Sequence, residues 1–383
     1  MPELPLSSAD LHAVLAPLDS ARPLPARAYW DEDVFAFDQA EIFGRSWLCV
    51  GREDELSRPG EWLLAPLTPA GVLVVRGADL ELRAFHNVCR HRAATLVEGA
   101  CGRLDHLECP YHGWTYELSG ALRAAPHAPP GFDRGAHGLL RARAGALFGF
   151  LFVTLDPGAP ALESALGDVP PWLSRPELRS LRRGRRVEYE VAANWKLCVE
   201  NFQESHHFPR VHPGLERLTP CDDAVSWGTG GAGGPWLGGI MALAPGAETV
   251  STSAARGPRP LVVPEAERRR VRDAMLFPGL LTSLQPDYLL TYRLTPRAPD
   301  RTLVVADTYF HPAAFVPGFA PGDVFAFWDA VNREDRAICE RQQRGIRAPG
   351  YAPSAYAMVE DGVHAFDGMV ARRYLSALGA RTA

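Results

Sequence analysis

The alternation of hydrophobic and polar positions predicts short strands in the first half of the chain. Between residues 46 and 75, alternating runs are broken by glycine and proline, which favour turns. The pattern at 72–75 and 80–85 predicts a hairpin. A longer apolar run at 145–155 predicts one further buried strand, which ends at an Asp-Pro-Gly turn. We therefore expect a small all-β domain over residues 46–156.

Helical periodicity is the main signal in the flanking parts of the chain. A helix is expected at 33–43, with Asp31 as its cap, inside an N-terminal segment 1–45 that packs on the second domain. The second domain is expected to cover residues 157–383. Its clearest helix runs over 324–344, where apolar residues recur at every third or fourth position.

Strands and a shorter helix complete the second domain. Alternating patterns predict strands at 186–191, 289–294 and 302–310. A helix is expected to begin at Asn194 as its cap and to continue to Phe208, because Pro209 would stop it. A glycine-rich stretch at 228–239 has no strand–turn–helix unit around it, so it is not a dinucleotide fingerprint. We expect a mobile loop over the active site there.

Composition and charge limit the classes of function. The chain has 383 residues, 46% of them hydrophobic, and a net charge of −5, which is ordinary for a soluble globular protein of two domains. The negative charge disfavours nucleic acid or an anionic membrane as a partner. No apolar run is long enough for a membrane span. The number of cysteines is odd, at seven, and five of them have no regular spacing. Together with the lack of a basic-then-apolar leader, this favours reduced thiols in the cytoplasm over a disulfide framework.

The strongest chemical signal is a pair of short hooks, each made of one cysteine and one histidine. The first hook is Cys89-x-His91. After 17 intervening residues, the second hook is Cys109-x-x-His112. The pattern suits a zinc ion held by two Cys and two His. It equally suits a Rieske [2Fe–2S] cluster, in which the cysteines bind one iron and the histidines the other. Cys101, between the hooks, is expected to be a small buried hydrophobe.

A second group of polar residues lies in the helix predicted at 194–208. Asn201, Glu204 and His207 are spaced by three, so on a helix they would share one face. His212 follows His207 by five positions, and the break at Pro209 can turn it back towards His207. Two imidazoles and a carboxylate on one face of an iron form the facial triad of Fe(II) oxygenases. Asn201 and Glu204 are candidate catalytic residues beside this site.

The long helix at 324–344 provides a candidate for the carboxylate ligand. Asp335 falls in the centre of the apolar stripe, which we expect to continue to Gln342. A carboxylate on a buried face needs a partner, and a metal ion is a suitable one. Glu334 lies at the flank of the stripe and Glu340 on the opposite face. A capping or salt-bridged role for Asp335 is the alternative interpretation.

These motifs resemble those of the Rieske non-haem iron oxygenases. The run Cys-Pro-Tyr-His-Gly-Trp at 109–114 resembles the second cluster hook of that family. Respiratory Rieske proteins have an additional cysteine after each hook, and this chain has Ala94 and Tyr111 at those positions. The pattern E-x-x-H-x-x-x-x-H at 204–212 resembles the catalytic-iron motif of the oxygenases. The sequence that starts at Asp335 resembles their carboxylate-ligand helix.

The resemblance implies an α+β fold, with an all-β Rieske [2Fe–2S] domain and a helix-grip (START-like) catalytic domain around a central antiparallel sheet. It implies the catalytic alpha subunit of an oxygenase. The implied ligands are Cys89, His91, Cys109 and His112 for the [2Fe–2S] cluster, and His207, His212 and Asp335 for a mononuclear Fe(II). Glu204 would contact His207 and, in a head-to-tail homotrimer, His112 of the neighbouring subunit. The E-x-x-H spacing favours His207 over His206 as the ligand.

The resemblance also implies a reaction and its partners. Electrons from NAD(P)H would arrive through a separate ferredoxin or flavin reductase, and O₂ would hydroxylate a small organic substrate. Segments 200–213 and 332–345 are most similar to the branch that hydroxylates or demethylates quaternary ammonium compounds such as glycine betaine, choline and carnitine. Trp227, Trp236 and Tyr288 are candidates for an aromatic box around such a cation. Aromatic-ring dihydroxylation is the alternative activity, and a non-enzymatic Rieske electron carrier is the alternative from another class.

Overall fold

The computed structural model describes residues 4–167, 169–228 and 234–382, and the chain divides into two compact units. One unit is Gly44–Ala165. The other combines Met1–Phe43 with Leu166–Ala383. Among the described residues, none of the helices is both long enough and apolar enough to cross a bilayer.

The unit Gly44–Ala165 is built mainly of antiparallel strands. These are β1 (Leu48–Arg52), β2 (Glu61–Ala65), β3 (Val72–Arg76), β4 (Leu82–His86), β5 (Cys101–Arg103), β6 (Leu107–Glu108), β7 (Thr115–Tyr116), β8 (Leu122–Ala124), β9 (Arg141–Leu147) and β10 (Phe150–Thr154). Seven of them form one sheet in the order β1-β10-β9-β4-β3-β2-β5, and β6-β7-β8 form a smaller sheet. Cys101 is exposed on β5, so the expectation that it would be buried was wrong.

The hairpin expected at 72–85 is confirmed, whereas the apolar run at 145–155 is not one strand. β3 pairs with β4 in antiparallel register. β9 and β10 pair across Phe148 and Gly149, whose φ values of 54° and 80° are those of a tight two-residue hairpin turn. The expectation of a single strand was wrong because this turn contains no polar residue to interrupt the apolar run.

An antiparallel sheet and long helices form the second unit. Its strands are β11 (Arg182–Val191), β12 (Val225–Gly228), β13 (Trp236–Ala242), β14 (Arg270–Leu276), β15 (Leu280–Leu284), β16 (Tyr288–Ala298) and β17 (Arg301–Phe310). They lie in the order β11-β17-β16-β15-β14-β13-β12. The α-helices of the chain are α1 (Ser8–Val14), α2 (Glu32–Phe37), α3 (Leu162–Leu166), α4 (Pro176–Arg179), α5 (Trp195–Phe202), α6 (Phe208–Val211), α7 (Pro213–Glu216), α8 (Gly322–Ile346) and α9 (Asp361–Thr382). The expected α+β class is confirmed.

The glycine-rich stretch at 228–239 is only partly the loop that we expected. Its ends belong to β12 and β13, which pair with each other from Val225↔Ile240 to Gly228↔Leu237. Residues 229–233, where the mobile loop was expected, lie outside the described residues.

Helix α8 confirms the helix expected over 324–344, with one change in its buried face. Gln342 is exposed, and Gln343 is buried in its place. The Gln343 amide accepts the N–H of Asn194 at 2.8 Å and donates to the carbonyl of Tyr29 at 3.0 Å. The buried face of α8 therefore continues at Gln343, where an apolar residue would be expected. Burial of this amide is tolerated because it forms hydrogen bonds with two backbone groups.

The helix expected over 194–208 is shorter than predicted, because α5 ends at Phe202. Beyond it, the Glu204 carboxylate accepts the N–H of His207 at 3.2 Å. In a continued helix that N–H would donate to the carbonyl four residues earlier. Pro209 therefore does not stop α5. It lies in the first turn of α6, where its missing N–H removes no helical hydrogen bond.

Candidate metal sites

The two Cys–His hooks share one backbone arrangement. In each, the cysteine N–H donates at 2.8 Å to the carbonyl five residues later. The N–H four residues after the cysteine donates back to the cysteine carbonyl, at 3.1 Å from Ala93 and 3.0 Å from Gly113. These equivalent residues have φ values of 59° and 68°. Glycine adopts this conformation easily, whereas alanine is strained in it.

The hook side chains divide into buried thiols and exposed imidazoles. Cys89 and Cys109 are 2% and 3% exposed, and their thiols interact with each other. His91 and His112 are exposed, with ring centroids 4.7 Å apart. The hydroxyl of Tyr116 lies 3.3 Å from the Cys89 sulfur. The hooks therefore present a sulfur pair towards the core and a nitrogen pair towards solvent.

This donor set fits a two-iron cluster. Among the described residues, the group able to share a single ion is His207, His212 and Asp335, and the hooks do not form such a group. A [2Fe–2S] cluster separates its thiolate iron from its imidazole iron, as the buried and exposed ends of the hooks require. Desolvation, together with the nearby His112 and Arg92, lowers the pKa of His91, which favours its neutral, ligating form.

Three of the predicted residues meet in the second unit. His207 lies in the turn before α6, His212 lies between α6 and α7, and Asp335 lies on α8. One potential ligand atom from each residue lies within 4.8 Å of the other two. Asp335 Oδ1 is 2.8 Å from His212 Nε2 and 3.9 Å from His207 Nε2. The single turn of α6 lies between His207 and His212 and ends at His212, whose φ of −125° and ψ of 63° are not helical.

A second carboxylate orients each of these imidazoles. Glu204 Oε1 is 2.5 Å from His207 Nδ1, and Glu334 Oε2 is 2.7 Å from His212 Nδ1. With Nδ1–H donated to the carboxylate, the Nε2 lone pair of each ring remains available for a metal ion. The sequence placed Glu334 at the flank of the stripe with no role. The orienting role of Glu334 is recognisable only from the position of His212 in the folded chain.

Asn201 binds the carboxylate of Asp335, the third candidate iron ligand. Its Nδ2 donates to Asp335 Oδ1 at 2.6 Å. The expectation that Asn201, Glu204 and His207 share one helical face was wrong, since α5 ends before Glu204.

The electrostatics of the site favour a positive charge. Burial disfavours the charged form of His212, but the hydrogen bonds and charges of Asp335 and Glu334 outweigh burial and raise its pKa. The two carboxylates that stabilise a proton on the His212 ring would also stabilise a metal cation bound there.

A cavity of about 110 Å³ adjoins the three side chains. One wall is a face of the sheet, from β11 and β13 to β17, and the opposite wall includes Trp328, Asn332 and Asp335 of α8. The aromatic lining residues are Tyr189, Phe202, Phe208, Tyr292 and Trp328. A small organic molecule bound in this cavity would lie next to the candidate iron ligands.

The aromatic box expected from the sequence is different from this lining. Among the described residues, neither Trp236 nor Tyr288 lines the cavity. Tyr288 lies outside the cavity, and its hydroxyl accepts the Nε1–H of the lining residue Trp328 at 2.7 Å. The side chain of Trp227 lies outside the described part of the chain.

Two protein-family models match the chain. Residues 46–142 match the Rieske [2Fe-2S] domain, and residues 178–376 match the ring hydroxylating alpha subunit (catalytic domain). The catalytic-domain match alone covers more than half of the chain. The chain therefore belongs to the Rieske non-haem iron oxygenases, as an oxygenase alpha subunit.

Individual relatives are oxygenase subunits as well. The glycine betaine monooxygenase oxygenase subunit of Chromohalobacter salexigens is 31% identical over 367 residues, which are 87% of this chain and 81% of the relative. The carnitine monooxygenase oxygenase subunit of Escherichia coli (strain K12) is 33% identical over 203 residues, which are 52% of this chain and 54% of the relative. The quaternary ammonium Rieske monooxygenase CntA, solved with L-carnitine, has the same fold, with a TM-score of 0.79, 24% identity and coverage of 97% and 99% of the two chains.

The family membership confirms several predictions from the sequence. The protein is an oxidoreductase of the Rieske oxygenase class, with a [2Fe–2S] cluster and a catalytic mononuclear iron. As an oxygenase subunit it works with a separate reductase.

Proposed function

We propose that this oxygenase subunit hydroxylates or oxidatively N-demethylates a small quaternary ammonium compound. Glycine betaine and carnitine, named for two relatives, represent the class. The observation that carries the proposal is the cavity beside His207, His212 and Asp335, whose lining has five aromatic side chains. Aromatic faces attract cations that have no N–H donors, such as trimethylammonium groups.

In this proposal the two groups of ligands have distinct tasks. The cluster ligands are Cys89, His91, Cys109 and His112, and the iron ligands are His207, His212 and Asp335. When bound, the mononuclear iron supplies the reduction of O₂, and the cluster supplies electrons. The chain's own contribution is orientation. Glu204 and Glu334 hold the Nδ1 protons of the two imidazoles, and Asn201 holds the Asp335 carboxylate.

The proposal includes a homotrimer in which Glu204 connects two copies of the chain. Glu204 contacts His207 at 2.5 Å and His206 at 2.7 Å, so it already links the iron site to the half-exposed His206. His112 is exposed in its hook and free to meet a neighbouring copy. In a head-to-tail ring, His112 of one copy would lie against Glu204 of the next, which gives electrons a short route between the centres.

The proposed division of the chain is an N-terminal segment 1–45, a Rieske domain 46–156 and a catalytic domain 157–383. A buried polar contact supports the packing of the N-terminal segment on the catalytic domain. The Lys196 ammonium, at the start of α5, donates to the carbonyl of Ala28 at 2.9 Å and to the Asp38 carboxylate. Lys196 and Asp38 are fully buried, so each charge is neutralised by the other away from solvent.

The proposed redox partner is a ferredoxin or flavin reductase that uses NAD(P)H, and the proposed location is the cytoplasm. None of the seven cysteines forms a disulfide, and the five that are not proposed as cluster ligands are thiols, which suits a reducing compartment.

The experiment is a substrate screen with the reconstituted protein and a surrogate reductase. O₂ and NADH consumption, and formaldehyde release from N-methyl groups, are measured with glycine betaine, carnitine, choline and aromatic hydrocarbons. We expect coupled turnover with at least one quaternary ammonium compound. Turnover confined to aromatic rings would replace the proposal with the ring-hydroxylating alternative. Absence of O₂ use with any substrate would favour an electron carrier.

A further inference from the structure

The sheet wall of the active-site cavity is mainly apolar and carries one charged side chain. Alternate residues of the strands face the cavity, among them Val271, Leu281, Leu294 and Val304. Among the described lining residues, Asp273 on β14 is the only charged side chain that the strands contribute. The candidate iron ligands belong to α8 and the segment after α5, so Asp273 lies on a different wall from them.

The hydrogen bonds around Asp273 leave acceptor atoms without donors. Asp273 pairs with Ser283 across β14 and β15, and the Ser283 hydroxyl donates to its carboxylate. The Ser283 oxygen in turn accepts the Gln285 Nε2–H at 2.8 Å. Within the described structure, Asp273 Oδ1 and Gln285 Oε1 are buried and have no hydrogen-bond partner. Two acceptors at one wall attract a positively charged ligand.

Within the described part of the chain, no cationic side chain neutralises this carboxylate. Burial raises the pKa of Asp273 to about 7, against the hydrogen bond from Ser283, and among the described residues no basic side chain contributes. A buried carboxylate without a counter-ion is unfavourable for the free protein, and such groups concentrate at functional sites. The missing counter-charge is therefore expected to come with a ligand.

We propose that Asp273 is the counter-ion of the substrate's quaternary ammonium group and makes the cavity select cations over neutral molecules of the same shape. This inference rests on the proposed function and names the residue that determines its specificity. Tyr292 and Trp328 line the same cavity, so an ammonium group there can contact aromatic faces as well as the carboxylate.

The charged residues that line a second cavity, of about 500 Å³, also favour a cationic ligand. Asp273 and Glu204 line both cavities. The second cavity is also lined by Asp222 and Asp361, and its described lining includes no lysine or arginine. A space whose lining has four carboxylates and, besides the imidazole of His206, no basic side chain raises the local concentration of a cation and lowers that of an anion.

The test compares each quaternary ammonium compound with an isostere that lacks only the charge on the central atom. Choline is paired with 3,3-dimethylbutan-1-ol and glycine betaine with 3,3-dimethylbutanoate, in which carbon replaces the charged nitrogen. Dissociation constants are measured by calorimetry on the reconstituted protein at pH 8. We expect the wild type to prefer the cation by about tenfold or more, and Asp273→Asn to lose that preference. Asp273→Glu, which keeps the charge, is expected to restore most of it.

The matched control is Leu281→Val, which alters the same wall without touching the Asp273 hydrogen bond and is expected to keep the preference. Cluster absorbance reports whether each variant folds. If Asp273→Asn fails to fold, Asp273→Ser is the second neutral variant. A neutral variant with the wild-type preference would overturn the role of Asp273. A wild type that binds no quaternary ammonium compound would instead overturn the proposed function, so the two failures are distinguishable.

Discussion

At the scale of single residues, the iron site depends on which nitrogen of each imidazole carries a proton. His207 and His212 each direct Nδ1 to a carboxylate and Nε2 towards Asp335. The carboxylates fix both the tautomer and the plane of the rings. Glu204 and Glu334 therefore contribute to metal affinity without binding the metal.

Replacing Glu334 tests this arrangement. Glu334→Gln keeps the size of the side chain but weakens its acceptor, and we expect iron affinity to fall by about tenfold or more. The measurement is competition for iron with a chelator. The control is Glu340→Gln on the same helix, since Glu340 pairs with Arg336 at 2.8 Å and does not line the cavity. Equal loss of iron in both variants would contradict the orienting role.

The sequence could predict the residues that carry a recognisable spacing, and it could not predict those that act through the fold. Cys89-x-His91 and Glu204-x-x-His207 are visible as local patterns. Glu334 and Asp273 have no such pattern, because their partners are 122 positions away in one case and on an adjacent strand in the other. Their roles depend on tertiary neighbours.

At the scale of elements, irregular backbone positions the ligands. The early end of α5 was missed because Glu204 competes with the main chain for the N–H of His207. The long helix α8 was predicted closely, since its 3.6-residue period extends over 25 residues. A regular element was thus predictable where its periodic pattern extends over many residues, and the backbone of the turns that carry the ligands was not.

The equivalent positions in the two hooks give a paired prediction. Gly113→Ala introduces a strained φ of 68° with no contact closer than 3.7 Å, so we expect a loss of about 1 kcal/mol in the free energy of unfolding. Ala93→Gly removes the same strain and should be neutral or stabilising. Denaturation followed by cluster absorbance measures both. Destabilisation by Ala93→Gly comparable to that of Gly113→Ala would show that the hooks are not equivalent.

At the scale of the whole molecule, the proposed trimer makes electron transfer depend on one side chain. With excess Fe(II) present to keep the iron site filled, Glu204→Gln should slow reoxidation of the reduced cluster by O₂ and substrate, by about tenfold or more. Stopped-flow absorbance of the cluster measures the rate. Glu360→Gln, which removes another acid near His206, is the control. An unchanged rate in Glu204→Gln would remove the bridging role.

One polypeptide is thus expected to hold a sulfide-bridged iron pair and a separate iron. The decisive measurement is the content of iron and acid-labile sulfide per chain after anaerobic reconstitution. We expect about three irons and about two sulfides in the wild type, and about two irons with unchanged sulfide in Asp335→Ala. A wild type without acid-labile sulfide, or an Asp335→Ala protein that keeps all its iron, would contradict this expectation.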